Sequence, residues 1–204
     1  MLNFLLLLGV ASASFFDDAV TELPGVPDFR GRFQLFSGYL HIKGTIQNFF
    51  SSKHLHYVFV TSQKDHKRDP LLVWFNGGPG CSSLFGWLKE HGPHVMLEDD
   101  GVFSENKWSW NKEANVLYIE SPAGVGYSYC DNHRLCNQHS DASSSLDNLD
   151  AVLSFFEKFP EYLGNDLYLT GESYAGVYVP YLAYRVHEYN LWLSQNSLQV
   201  KEDL

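Results

Sequence analysis

A chain of 204 residues in which 45% are hydrophobic and 16% aromatic can bury a sizeable core, which excludes a disordered polar segment and suits one folded domain. Its 14 Lys and Arg stand against 24 Asp and Glu, a formal net charge of −10. Phosphate backbones are repelled by such a surface, so no nucleic-acid partner is expected.

Residues 1–13 begin with a short apolar run, Phe4 to Val10, and end in Ala11-Ser12-Ala13. That pattern predicts a secretory signal peptide, too short to span a bilayer, although it has no Lys or Arg ahead of the apolar run. No later stretch is apolar for long enough to form a membrane span. The last four residues, Lys201-Glu202-Asp203-Leu204, permute an ER-retention signal and are read as coincidence. In an oxidising compartment Cys130 and Cys136, which flank a short polar loop, can close it as a local bridge. Cys81 is then odd, which implies a mate elsewhere or an incomplete chain. No Asn begins an N-x-Ser/Thr sequon.

Residues 14–28 read as a loop, broken by Pro24-Gly25 and Pro27. Residues 33–42 and 55–61 then predict two β-strands paired antiparallel. The unbroken apolar run 71–75 predicts a strand buried on both faces, which empties into Asn76-Gly77-Gly78-Pro79-Gly80. Residues 81–88 read as helical, and 115–120 as a second buried strand. In residues 143–159, Leu146, Leu149, Val152, Leu153, Phe156 and Phe159 recur at helical spacing, with serines at the head and Pro160 as a stop. A strand at 167–170, a tight turn and a helix over 177–189 follow. Strand, helix and strand in alternation, with glycines at the turns, predict an α/β fold with helices packed on the faces of the sheet.

The turn is Gly171-Glu172-Ser173-Tyr174-Ala175-Gly176, a serine between glycines where a strand meets a helix. This is the pattern of a nucleophile elbow, which exposes a serine hydroxyl and aims the next backbone N–H at the reacting oxygen. A Cβ at the flanking glycines is expected to clash with the crossing strand and helix. The turn after the strand at 71–75 is the second chemical feature: Gly77-Gly78 let the backbone approach a substrate closely and can supply a second oxyanion donor. Taken alone, Glu90 reads as a solvated charge on a helix.

Three blocks carry a resemblance: residues 74–83 (Trp-Phe-Asn-Gly-Gly-Pro-Gly-Cys-Ser-Ser), 120–129 (Glu-Ser-Pro-Ala-Gly-Val-Gly-Tyr-Ser-Tyr) and 169–176 (Leu-Thr-Gly-Glu-Ser-Tyr-Ala-Gly). In this order they resemble the serine carboxypeptidase family, and the likeness runs from about Pro24 to about Gln199. The resemblance implies an α/β-hydrolase fold, no cofactor or metal, a lysosomal or extracellular location, and release of C-terminal residues from peptides through an acyl-enzyme. It matches Ser173 to the nucleophile, Gly78 and Tyr174 to the oxyanion donors, and Asn76, Gly77, Glu90 and Glu172 to the group that binds the substrate's terminal carboxylate. Two adjacent carboxyls tend to share a proton, so the Glu90–Glu172 pair is expected to donate to that carboxylate and to work best in acid. Acyltransferases of similar sequence commonly carry Asp before the nucleophile, so Glu172 favours the peptidase; a non-catalytic binding protein is a third reading.

The chemistry also needs a base and an orienting carboxylate, which in this fold follow in the order Ser, Asp, His. After Ser173 the one histidine is His187, within the expected elbow helix, and no histidine follows Asp203. The resemblance places the catalytic Asp, the catalytic His and the partner of Cys81 further on. Residues 24–199 are therefore expected to be the N-terminal part of such a domain, truncated after the elbow helix and inactive alone. Residues 196–199 read as a run into the next strand and 200–204 as a divergent tail. An exposed strand edge is expected to make the isolated chain unstable.

Overall fold

A computed structural model describes residues 17–26, 29–42, 53–96, 101–136 and 138–202, so the expected signal peptide lies outside the described residues. The β-branched and aromatic runs form the expected strands. β2 (Leu35–Ile42) and β3 (Lys53–Val60) pair antiparallel from Leu35 opposite Val60 to Ile42 opposite Lys53. β4 (Leu71–Phe75) and β7 (Asn115–Ile119) are buried along almost their whole length, as their unbroken apolar sequences require. β5 (His94–Val95) and β6 (Ser104–Glu105) form a separate small hairpin between them, and β8 (Tyr129–Cys130) extends the far end of β3. β9 (Leu167–Gly171) completes the main sheet.

The stretch expected to be all loop contains a short edge strand, β1 (Ala19–Val20), paired with β2. Its anchor is tertiary: Asp18 accepts hydrogen bonds from Tyr57 (2.8 Å) and from Lys158, while its backbone carbonyl accepts from the Ser37 N–H. Nothing in the local sequence announces that contact.

The strands lie in the order β1-β2-β3-β7-β4-β9. The first three steps are antiparallel; β7, β4 and β9 are parallel to one another. One face of the sheet packs on α2 (Asp141–Lys158) and α3 (Ala175–Glu202), around Phe59, Phe75, Phe155, Phe159 and Tyr178. The other face is covered by Phe29, Phe33 and Trp87, which pack on Val58, Val60, Trp74 and Tyr118.

α2 opens with a reciprocal capping box, in which Ser140 Oγ accepts from the Ser143 N–H and Ser143 Oγ from the Ser140 N–H. It ends at Lys158, just ahead of Pro160. Of the expected stripe, Val152 and Phe159 are buried and Leu149 and Phe156 pack against the core, while Leu146 is 45% exposed; Ser144, Asn148, Ala151 and Phe155 are buried beside them. The helix turns small side chains to the sheet and inserts Phe155 among Phe59, Phe159 and Tyr162, an aromatic cluster with centroids 4.8–6.3 Å from Phe155. The apolar stripe thus marks the core side of the helix but leaves out Phe155 and the small residues beside it.

Two further elements depart from expectation. Residues 81–88 are helical only from Leu84: after an irregular start at Cys81 and Ser82, Leu84 and Phe85 lead into the helical turn Gly86–His91. α3 continues past Tyr189 to Glu202, so residues 196–199 are helical and do not turn into a strand. No glycine or proline interrupts residues 181–202, and a helix once begun propagates at little cost. Cys130 and Cys136 are joined as expected, across the one-turn helix α1 (His133–Cys136), and Cys81 is free and exposed. Among the described residues no helix is long and apolar enough to cross a membrane.

Candidate active site

β4 and β9 run parallel with Phe75 opposite Gly171, so both strands end at the same level and their following turns meet. Crevices at the carboxyl ends of parallel strands are where open α/β sheets bind ligands. Ser173 sits at that edge, exposed, with φ 54°, the one described non-glycine residue with a positive φ. A left-handed conformation at a residue bearing a Cβ costs about 1–2 kcal/mol and persists only where surrounding contacts impose it. Here the Glu172 N–H donates to Phe75 O (3.2 Å), and the Ala175 and Gly176 N–H groups donate back to Glu172 O and Ser173 O (both 2.9 Å). The turn therefore leads directly into α3.

The glycines around the serine are not equivalent. A Cβ on Gly171 would lie 2.6 Å from both Ala175 Cβ and Phe75 O, so the strand–helix crossing requires glycine there. A Cβ on Gly176 would meet nothing within 4 Å, which corrects the expectation of a clash; the close neighbour is Ala175, one residue earlier. Gly77 is the tightest point. A Cβ there would come within 2.5 Å of Tyr174 N, 2.8 Å of Glu172 O and 2.9 Å of Ser173 Cβ, so the glycine-rich loop lies directly against the elbow. Gly78 adopts φ 113°, a region open to glycine. Neither its N–H nor that of Tyr174 hydrogen-bonds to another described residue.

Beside this pair, Asn76 is buried and its side chain is held at both ends. Its Oδ1 accepts from Trp74 Nε1 (2.7 Å) and from the Gly86 N–H (3.1 Å), which turns its Nδ2 toward Glu172 Oε1 (2.9 Å). Glu90 reaches the same group from the helical turn. Partial burial raises its carboxyl above the ordinary range, and the neighbouring Glu172 charge adds to this, against a hydrogen bond from Asn76. The structure thus brings together all seven residues singled out in the sequence: Asn76, Gly77, Gly78, Glu90, Glu172, Ser173 and Tyr174.

Sequence reasoning missed their supports. Trp74 is two residues before Asn76, which directly follows β4 in the same extended run, and that spacing was the available signal. Ser83, whose Oγ accepts from the Asn76 N–H (3.1 Å), and Asp141, which accepts from the Tyr174 hydroxyl (3.0 Å), carried no such signal. His187 lies on α3, roughly 18 Å along the axis from its first residue at the usual helical rise. Among the described residues the Ser173 hydroxyl hydrogen-bonds to no histidine.

A serine in strained left-handed geometry, between a parallel strand and a helix, with a glycine-rich loop in register beside it, defines an α/β-hydrolase. The serine carboxypeptidase family model matches residues 24–201, and the chain belongs to that family. It is 47% identical over 185 residues to the lysosomal protective protein of Mus musculus, covering 89% of this chain and 37% of that one. With a serine carboxypeptidase of Caenorhabditis elegans it shares 48% identity over 169 residues, covering 83% of this chain and 34% of the relative. The fold superposes on the crystal structure of a prohormone-processing carboxypeptidase from Saccharomyces cerevisiae with a TM-score of 0.71 at 29% identity, covering 87% of this chain and 40% of that one. The chain thus spans little more than a third of the length of these curated relatives.

Proposed function

We propose that this chain carries the nucleophile, the oxyanion donors and the carboxylate-binding group of a serine-type carboxypeptidase. The observation that supports this best is Ser173, exposed in left-handed geometry beside two backbone N–H groups, those of Gly78 and Tyr174, that lack an acceptor among the described residues. Ser173 Oγ attacks the carbonyl carbon of the last peptide bond, and the two N–H groups take the oxygen as it becomes an anion. The terminal residue leaves as its amine, and water later cleaves the acyl-enzyme. Asn76, Gly77, Glu90 and Glu172 hold the terminal carboxylate, with a proton shared between the glutamates acting as donor. The disulfide between Cys130 and Cys136 favours the secretory route, hence a lysosomal or extracellular location.

The attack needs a base to take the Ser173 proton, and among the described residues no imidazole is hydrogen-bonded to it. This favours a second reading, in which these 204 residues recognise peptide C-termini without turning them over. One pair of measurements tests both. An N-benzoyl dipeptide with a free carboxylate, and its amide, are titrated at about pH 5 against tryptophan fluorescence. Charged hydrogen bonds worth about 1.5–3 kcal/mol predict that the acid binds at least tenfold tighter. Equal affinity for acid and amide refutes carboxylate recognition. A fluorophosphonate probe then reports on the nucleophile: slow labelling, abolished by Ser173→Ala, is expected of an elbow without its base, and rapid turnover by the chain alone refutes the second reading.

A further inference from the structure

Outside the residues described so far, the most constrained polar group is Glu120, the residue that follows β7. Its carboxylate has no solvent exposure. It accepts from His56 Nδ1 (2.9 Å), from the Tyr127 N–H (2.9 Å) and from Ser82 Oγ. His56 is fixed in turn by Ser37 Oγ on its Nε2 (2.9 Å). A Cβ on Gly126 would fall 1.8 Å from Glu120 Oε1, so the 121–128 loop is shaped to admit this carboxylate. Burial raises its pKa, and the hydrogen bonds from His56, Ser82 and Tyr127 outweigh that and hold it ionised.

A buried carboxylate is costly unless every contact is met, and Ser82 is the contact that leads to the active site. Ser82 belongs to the loop between β4 and the helical turn, and its Oγ also accepts from the Leu84 N–H (3.1 Å). Ser83 is tied to the preceding residue of the same strand end, donating to Ile119 O (2.6 Å) while its Oγ accepts the Asn76 N–H. Two successive loop serines are thus fastened to two successive residues at the end of β7, a central strand. The loop between Asn76 and Ser82 has glycines at positive φ, Gly78 and Gly80, and little internal structure beyond the Cys81 N–H donating to Gly77 O (3.0 Å). Such a segment keeps its shape only if anchored.

We propose that Glu120 is a positioning residue. Through Ser82 it holds the 76–83 loop against the elbow, so that the Gly78 N–H and the Asn76 amide face the substrate's oxyanion and carboxylate. This rests on the carboxypeptidase reading above for its ligand, but not for the loop anchoring itself. The test uses Ser82→Ala, which removes the link together with the acceptor of the Leu84 N–H, Ser82→Thr, which keeps the hydroxyl, and Glu120→Gln, which keeps Ser82. Amide hydrogen exchange is followed with no ligand present. Loss of the anchor is expected to speed exchange at Asn76 and Cys81, whose acceptors the substitution leaves in place, by about tenfold or more, with β7 amides unchanged and Ser82→Thr restored. Unchanged exchange in Ser82→Ala overturns the anchoring whether or not the chain binds peptides.

Affinity for the N-benzoyl dipeptide acid is then compared with that for its amide. Ser82→Ala is expected to lower the acid-to-amide preference about tenfold without a matching fall in melting temperature. A preference that is unchanged, or that falls only in step with overall stability as in a purely structural role, overturns the positioning. Should Glu120→Gln fail to fold, the two Ser82 variants carry the test. Should the wild-type chain show no preference for the acid, the carboxypeptidase reading fails while exchange still decides the anchoring.

Discussion

His91 offers a sharp test of how burial near the site couples folding to pH. The ring is buried, stacked on Trp110 (4.0 Å between centroids, 14° between planes) and met edge-on by Trp74 (4.3 Å). Its Nδ1 pairs with the Tyr118 hydroxyl (3.1 Å), and its Nε2 is buried without a hydrogen-bond partner among the described residues. The charged ring would carry a proton on both enclosed nitrogens, and burial accordingly lowers the pKa to about 4. The Glu90 carboxylate is 3.9 Å away, beyond hydrogen-bonding range, and does not offset the desolvation. In the unfolded chain the ordinary value is about 6.5. The unfolded state therefore binds a proton first as pH falls, and the stability contributed by neutral His91, complete above about pH 6.5, is lost progressively toward pH 4. Each tenfold difference in proton affinity between the folded and unfolded chains corresponds to about 1.4 kcal/mol, so this residue alone removes about 2–3 kcal/mol between about pH 7 and about pH 4.5. Urea unfolding of the wild type and of His91→Leu over that range measures it. The substitution lowers stability at every pH by the lost contacts, but the difference between the two proteins should shrink by that amount toward acid. Parallel profiles would refute the reasoning.

The loop–elbow contact predicts opposite outcomes for two glycines. Gly77→Ala meets backbone at 2.5–2.8 Å and should cost about 1–3 kcal/mol with loss of peptide-acid binding, whereas Gly176→Ala, with open space and a helical position, should stabilise by up to about 1 kcal/mol; equal urea midpoints for the two variants would contradict the packing described. The raised Glu90 carboxyl implies that affinity for a peptide acid is greatest below its pKa, where it carries a proton, and declines as pH rises through it. Glu90→Gln, permanently neutral and a donor, should flatten that decline, and a wild-type affinity already constant from about pH 4 to about pH 7 would remove Glu90 from the carboxylate site.

Much of the site was legible because its chemistry is local. An unbroken apolar run with a glycine turn marked β4 and its loop, and the serine between glycines marked the elbow. What could not be read were partners separated by many residues. Tyr174 meets Asp141 across 33 positions and Ser82 meets Glu120 across 38, distances that only the strand order and register close. The central place of Phe155, outside the expected stripe of α2, has the same origin. Neighbouring stripes on a helix have similar apolar content, and the sheet selected the one that brings Phe155 between Phe59 and Tyr162.

By itself the amino-acid sequence determined where the long strands, the glycine turns and the capped helix α2 form, since periodicity and turn chemistry act over a few residues. It also carried a nucleophilic serine at a strand–helix junction. Only the tertiary structure decided that β9 would lie beside β4 with Phe75 opposite Gly171, and hence that a glycine loop and a serine turn would share one edge. Hydrogen bonds between distant backbones and the burial of Glu120 are properties of that arrangement. No single segment holds the information that sets them.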